Sequence, residues 1–188
     1  GLVKWAKRPL LDQPTSNLDS QLRDKRGFER KRIQAERHIT TIYVTHDQSE
    51  ALALSHEIAV MREGRIIQQG TPRSIYEHPQ STFVADFVGT INFVKATVRS
   101  IASQGNDVVV DSEIGIIHVP NCPGCKVGDE LVVCIRPESI HLSDAQPGPE
   151  HLNAFKGTVN AKIFLGQVLD FQVRMADHIL LAEQHPSK

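Results

Sequence analysis

The chain has few cysteines, few aromatic residues and almost no net charge, and each shortage excludes a class of protein. Three cysteines in 188 residues do not make a disulfide framework, which favours a reduced compartment. The formal net charge of −1 and the aromatic content of 5% argue against a general nucleic-acid-binding protein, which needs a basic surface and stacking side chains.

Long hydrophobic runs are also missing. No segment approaches the roughly 20 apolar residues that cross a bilayer, and the first residues lack the charged-then-apolar order of a signal segment. An apolar content of 40%, with 12 glycines and 10 prolines, is that of an ordinary globular protein. Because the chain opens inside a helical pattern that Pro9 closes, we expect it to be a fragment of a longer protein.

The charge is unevenly distributed. Residues 1–37 carry ten lysines and arginines against five acidic residues. This basic stretch suggests either a nucleic-acid site or a solvated charged helix face. We favour the solvated face, because the rest of the chain has no basic excess.

Local patterns divide the chain at about residue 88. Residues 1–88 mix helical and strand patterns, with a predicted helix over 19–37 and a β-branched strand over 40–44. Asp47 and Glu50 have capping-box spacing at the start of the next helix. Glu63-Gly64 joins two strands as a tight hairpin, and Thr71-Pro72 predicts a further helix start.

Residues 89–188 contain only short strand patterns between turns, which predicts a small all-β barrel or sandwich. No repeat of fixed period is evident in the sequence. The predicted strands cover 94–101, 107–110, 115–119, 130–135, 157–164, 169–175 and 179–182.

Two of the cysteines, Cys122 and Cys125, flank Pro-Gly, and His118 lies four residues before them. The spacing allows a metal or redox site, although a zinc site usually needs four ligands. A Pro-Gly turn that happens to lie between two thiols is the simpler interpretation, and we favour it.

Two acidic and histidine-bearing segments carry the strongest functional signal. Residues 10–19 read Leu-Leu-Asp-Gln-Pro-Thr-Ser-Asn-Leu-Asp, and residues 45–47 read Thr-His-Asp at the end of a strand pattern. Strands that end in a carboxylate and in an imidazole place both groups at a sheet edge, where a Mg²⁺–nucleotide could be met. These segments resemble the Walker B motif, the D-loop and the H-loop of ATP-binding-cassette (ABC) importer ATPases.

Further motifs extend the resemblance over essentially the whole chain. Gly64-Arg-Ile66, Gln69-Gly-Thr-Pro72 and Phe83-Val-Ala-Asp-Phe87 resemble the end of the nucleotide-binding domain of sugar, polyamine or metal-ion importers. Ile135-Arg-Pro-Glu138 and Phe164-Leu-Gly166 resemble the appended TOBE (transport-associated OB) domain. The resemblance therefore implies an incomplete α/β P-loop NTPase domain over 1–88 and an OB-like β-barrel TOBE domain over 89–188.

The resemblance also implies roles for individual residues in an intact protein. Asp12 would bind Mg²⁺ through water, and His46 would contact the γ-phosphate of ATP. Ser16, Asn17 and Asp19 match the D-loop, which reaches the partner subunit, although Asp19 alone would also fit a plain helix N-cap.

Gln13 departs from the family pattern, because the family has its catalytic glutamate there. Glutamine has nearly the same shape but cannot accept a proton as a carboxylate does. The phosphate-binding pattern G-x-x-x-x-G-K-[ST] and the Leu-Ser-Gly-Gly-Gln signature do not occur in the 188 residues. We therefore expect this chain alone to bind no ATP or Mg²⁺ and to be inactive.

The resulting hypothesis is the energising subunit of an ABC importer, represented by a dimerisation and regulatory part. The resemblance implies a homodimer through the TOBE domain, transmembrane permease partners and a position on the cytoplasmic face of the cell membrane, with no nucleic acid. The alternative is a stand-alone β-barrel protein that binds a small oxyanion or sugar-like ligand.

Overall fold

The computed structural model describes residues 10–12, 31–33, 36, 40–102, 107–120, 122–145, 147–148 and 151–186. The chain divides into two compact units, Gly1–Gly89 and Thr90–Lys188. Residues 31–33 and 36, inside the helix predicted over 19–37, are helical, and the rest of that prediction lies outside the described residues. In the described part, no helix has both the length and the apolar character that a membrane crossing needs.

The described part of the first unit includes two short parallel strands, β1 (Leu10–Asp12) and β2 (Ile42–Val44). Helix α1 (Gln48–Leu54) follows β2 directly. Parallel strands are usually covered on both faces, yet Leu10, Ile42 and Val44 are exposed among the described residues.

After α1, the described residues of the first unit form a hairpin covered by two short helices. Its elements are β3 (Ile58–Arg62), β4 (Arg65–Gly70), α2 (Pro72–Glu77) and α3 (Thr82–Phe87). The predicted tight turn is confirmed, since Glu63 and Gly64 both have positive φ angles.

The predicted cap of α2 is confirmed as well. The Thr71 hydroxyl accepts a hydrogen bond from the Ser74 N–H at 3.2 Å, and Pro72 takes the first helical position. Ile75 and Val84, one from each short helix, then pack with Val60 of β3 in a small core. A buried Gln68 closes the loop between the helices, since its amide donates to the His78 carbonyl at 3.0 Å and accepts from the Gln80 N–H at 2.8 Å.

The second unit contains two antiparallel sheets. The four-stranded sheet has the order β7-β6-β5-β8, and the three-stranded sheet has the order β11-β10-β9. Their strands are β5 (Asn92–Ile101), β6 (Asp107–Ser112), β7 (Gly115–Pro120), β8 (Glu130–Ile135), β9 (Thr158–Phe164), β10 (Leu169–Met175) and β11 (His178–Gln184).

Both sheets contribute to one apolar core. Val98 and Val110 of the larger sheet and Val173 and Leu180 of the smaller sheet belong to it. The predicted all-β unit is confirmed, but the predicted barrel is not closed, because no ladder joins the two sheets in the described residues. Alternation of apolar residues determines which face of a strand is buried, and it carries no information on whether the outer strands meet.

The three-stranded sheet repeats a motif that is also formed by three strands of the four-stranded sheet. We call β5–β7 the first repeat and residues 153–184, with β9–β11, the second repeat. Residues 92–98 read NFVKATV and residues 153–159 read NAFKGTV. In both repeats a bulge follows the valine that ends this segment, and a two-residue hairpin joins the second strand to the third.

The bulge residues make equivalent side-chain contacts. Arg99, in the first repeat, lies 3.4 Å from the carboxylate of Asp111 on β6. Asn160, in the second, accepts from Arg174 on β10 at 3.0 and 2.9 Å in the amide orientation that satisfies both groups. The sequence showed no repeat of fixed period, and this repeat does not have one. The period is not constant, because the connection between the first and second strands differs in length, and the shared sequence is confined to seven residues.

Each repeat also holds the third strand of the other. Asn92 of the first repeat donates to the Leu181 carbonyl at 2.8 Å and accepts from the Leu181 N–H at 2.8 Å. Asn153 of the second repeat makes the same two bonds to His118 of β7, at 2.8 and 2.7 Å. A carboxamide thus takes the place of a neighbouring strand's peptide group at two sheet edges, which otherwise offer unpaired N–H and C=O groups.

Candidate functional site

The ends of β1 and β2 form the candidate nucleotide site. The strands are parallel, with Asp12 opposite Val44, so their carboxyl ends share one edge. Asp12 ends β1, and His46 lies two residues beyond β2. Both residues are exposed. The parallel pairing thus brings to one sheet edge the carboxylate and the imidazole that the sequence singled out.

Hydrogen bonds shape the loop that carries His46. Thr45 donates to the Glu50 carboxylate at 3.0 Å, and its hydroxyl accepts from the Asp47 N–H at 2.9 Å. Asp47 caps α1, since its carboxylate accepts from the Glu50 N–H at 3.1 Å. These contacts fix the backbone on both sides of His46 and leave the imidazole exposed.

Sequence reasoning missed part of this network. The buried carboxylate of Glu50 also accepts from the Tyr43 hydroxyl at 2.9 Å. The capping-box spacing identified Glu50 as a helix-start residue, and it gave no sign that Tyr43, on the preceding strand, would be a partner. A tyrosine in an otherwise aliphatic strand next to Thr-His-Asp is the signal that could have found it.

Four other residues of the predicted site, Gln13, Ser16, Asn17 and Asp19, lie outside the described residues. Asp12 and His46 fit part of a Mg²⁺–ATP site. The Asp12 carboxylate offers oxygen atoms to the water shell of Mg²⁺, and the His46 imidazole offers a nitrogen to a phosphate. No three His, Cys, Asp or Glu side chains in the described ranges are placed to bind a metal ion directly.

The Cys122–Cys125 segment forms a turn. The Cys125 N–H donates to the Cys122 carbonyl at 3.2 Å, and Gly124 has a φ of 81°, as the third position of a type II turn requires. Nδ1 of His118, the third residue considered for a metal site, lies 3.4 Å from the Asp107 carboxylate. This geometry supports the turn interpretation over a metal site.

The two thiols of this turn interact, which has a measurable consequence. A hydrogen bond with Cys125, then burial, raise the pKa of the Cys122 thiol. Because only the thiolate is alkylated, we expect Cys122 to react slowly with iodoacetamide at pH 8 and its rate to keep rising above pH 9. Cys125→Ala removes the largest cause and should therefore speed alkylation of Cys122 at pH 8, measured by peptide mass spectrometry.

Cys134 provides the control for this prediction. Burial raises the pKa of its thiol, with Arg136 opposing, and Cys125 takes no part. Its alkylation rate should be the same with and without Cys125→Ala. An unchanged rate at Cys122 in that variant would show that the two thiols do not interact in solution.

Comparison with known proteins assigns part of the second unit to a domain family. Residues 133–188 match the model of the TOBE domain. The matched segment contains the second repeat and the last residues of β8. The TOBE resemblance inferred from residues 135–138 and 164–166 is therefore confirmed.

The whole chain is similar to import ATP-binding proteins. It is 38% identical over 186 residues to the spermidine/putrescine import ATP-binding protein PotA of Chromobacterium violaceum, covering 99% of this chain and 51% of the relative. The PotA protein of Pseudomonas fluorescens is 41% identical, in an alignment that covers 99% of this chain and 49% of the relative. The PotA protein of Thermobifida fusca is 42% identical, in an alignment that covers 99% of this chain and 48% of the relative.

The chain thus spans about half the length of the curated relatives that it matches. The resemblance to the C-terminal region of ABC importer ATP-binding subunits is confirmed over the whole chain. The alternative of a stand-alone ligand-binding protein has no counterpart among these three relatives.

Proposed function

We propose that this chain is the part of an ABC importer ATP-binding subunit that contains the end of the nucleotide-binding domain (1–88) and the TOBE domain (89–188). The transported solute is proposed to be a polyamine of the spermidine/putrescine class, as in the relatives' names. The observation that carries the proposal is the parallel pairing of β1 with β2, which supports a nucleotide-facing edge with Asp12 and His46 in a chain similar throughout to import ATP-binding proteins.

Each residue of the edge has a proposed role in the intact protein. Hydrolysis of bound Mg²⁺–ATP supplies the free energy for transport. The Asp12 carboxylate would orient the water shell of Mg²⁺, and the His46 imidazole would donate a hydrogen bond to the terminal phosphate. Gln13 holds the attacking water without accepting its proton, and Ser16, Asn17 and Asp19 contact the partner subunit.

Partners and location follow from the same proposal. The intact subunit would bind transmembrane permease subunits at the inner face of the cell membrane. It would also form a homodimer through residues 89–188, which is supported by exposed apolar side chains on the second unit, including Phe93, Phe164 and Leu165.

Sedimentation velocity over a concentration series tests the homodimer. We expect a dimer at high micromolar concentration, with weak salt dependence because the exposed groups are apolar. A monomer up to the millimolar range would contradict the homodimer proposal.

We expect the 188-residue chain by itself neither to bind nor to hydrolyse ATP. Since the G-x-x-x-x-G-K-[ST] motif is absent from its sequence, Asp12 and His46 have no phosphate-binding loop opposite them. We expect no ATP turnover above a buffer blank and no saturable binding of a fluorescent ATP analogue with Mg²⁺. Hydrolysis that scales with protein concentration and persists through repurification would contradict this.

A further inference from the structure

The turn that contains Cys122 and Cys125 lies between β7 and β8 and is not part of the proposed nucleotide site. The Cys125 N–H donates to the Cys122 carbonyl at 3.2 Å, and the Cys125 thiol donates to the same carbonyl oxygen at 2.9 Å. A hydrogen bond also joins the two thiols, and it is the first cause of the raised pKa of Cys122. The turn therefore brings the two sulfur atoms into contact.

The backbone of this turn suits a disulfide bond. The first and fourth Cα atoms of a β-turn lie less than about 7 Å apart, and a disulfide joins Cα atoms that are about 4.4–6.8 Å apart. The ring of Pro123 fixes the φ angle of the second position, and Gly124 has the φ of 81° that the third position needs. The residues of the turn themselves thus hold the two cysteines within the reach of a disulfide.

The chain that follows the turn is held in place as well. The Asp129 carboxylate accepts from the Lys126 N–H at 2.8 Å, and the Asp129 N–H donates to the Lys126 carbonyl at 3.0 Å. The Gly128 N–H donates to the Val98 carbonyl at 2.8 Å, which attaches this segment to β5. Both cysteines also pack against the core of the second unit. The fold thus holds the two thiols together before any bond forms between them.

We propose that Cys122 and Cys125 form a reversible disulfide by exchange with a low-molecular-weight disulfide, which makes this turn an oxidation-sensitive site. With glutathione disulfide, one cysteine thiolate attacks a sulfur atom and releases a glutathione thiolate. The other cysteine thiolate then attacks the mixed disulfide, closes the Cys122–Cys125 bond and releases the second glutathione thiolate. The cysteine pair loses two electrons, glutathione disulfide gains them, and the two cysteine protons pass through the solvent to the released thiolates.

The composition and the exposure of the pair both fit a transient bond. The low cysteine content favours a reduced compartment, where disulfides are usually transient and redox-sensing. Cys122 and Cys125 are free thiols, and both are partly exposed, so a small disulfide can reach them. Exposed disulfides are more easily reduced than buried structural ones, which allows the bond to open again.

A redox titration of the full chain in glutathione buffers tests the proposal. The reference is a synthetic peptide of residues 120–127, which has the same two cysteines without the fold. We expect the equilibrium constant for disulfide formation to be at least tenfold larger in the chain than in the peptide, because the folded chain holds the turn closed beforehand. Acid quenching, alkylation and peptide mass spectrometry measure the oxidised fraction.

Three serine variants identify the reacting pair. Cys122→Ser and Cys125→Ser each remove one thiol, so the other should retain glutathione as a mixed disulfide, at least tenfold more abundantly than in the unaltered chain. Cys134→Ser is the matched control, because the Cys134 thiol lies on β8 and contacts the Val132 carbonyl at 3.9 Å. This variant should leave the equilibrium constant within twofold.

Three results would overturn the proposal. Equal equilibrium constants in the chain and the peptide would mean that the fold adds nothing to the nearness of the cysteines in the sequence. A glutathione adduct on Cys122 or Cys125 of the unaltered chain, as abundant as in the single variants, would mean that the second thiol does not attack. A disulfide that links Cys134 to the turn would assign the oxidation to a different pair.

Discussion

Asn92→Leu is expected to lower the free energy of unfolding of the second unit by about 3 kcal/mol or more, measured by urea denaturation of the full chain. The Asn92 side chain is 6% exposed and makes two hydrogen bonds to Leu181 and a third, at 3.1 Å, to the Ile135 carbonyl. Leucine has a similar volume but would leave the peptide groups of Leu181 and Ile135 without these partners beside a buried side chain, at roughly 1–3 kcal/mol for each unsatisfied group.

The internal repeat supplies a matched control. Asn153 makes the same two bonds to His118, but it is exposed, so water replaces its amide when the side chain is changed. Asn153→Leu should therefore cost about 1 kcal/mol or less. Equal losses in the two variants would show that burial does not decide the strength of the contact, and a loss below 1 kcal/mol for Asn92→Leu would contradict its proposed role as a clamp.

Gln13→Glu is expected to raise kcat of the intact ATP-binding subunit by on the order of 10²-fold. The proposed site has a carboxylate at Asp12 and an imidazole at His46, and it lacks a general base at the position where the family has glutamate. A carboxylate there can accept the proton of the attacking water, whereas the amide of glutamine can only hold the water in place. Steady-state ATP hydrolysis at saturating ATP, measured with the transport partners present, is the appropriate assay.

A second Gln-to-Glu change separates this effect from a simple change of charge. Gln172 is exposed on β10 of the second unit, and Gln172→Glu should leave the rate within twofold. If Gln13→Glu leaves kcat unchanged while the subunit binds ATP normally, Gln13 does not hold the attacking water, and the register of the motif after β1 has been assigned incorrectly.

The local elements of the fold could be predicted because their signals act over a few residues. The alternation of apolar residues gave β5 to β11 to within a few residues of their ends. Glu63-Gly64 and Thr71-Pro72 gave a turn and a helix start, since backbone preferences at these positions are set by the residues themselves. The positions of Asp12 and Thr45-His46-Asp47 at the ends of their strand patterns likewise predicted which residues follow the carboxyl ends of β1 and β2.

The sequence alone therefore determined the order of the predicted strands and helices and the change from mixed to all-β patterns at about residue 88. It also determined which residues are candidates for the site. Only the tertiary structure decided that the sheets stay open and that Asn92 and Asn153 join them. These features depend on hydrogen bonds between groups far apart in the chain, such as those of Asn92 to residues 43 and 89 positions away. No local preference encodes such a partner, because an asparagine satisfies its amide equally well in any turn, cap or strand edge that the fold brings to it.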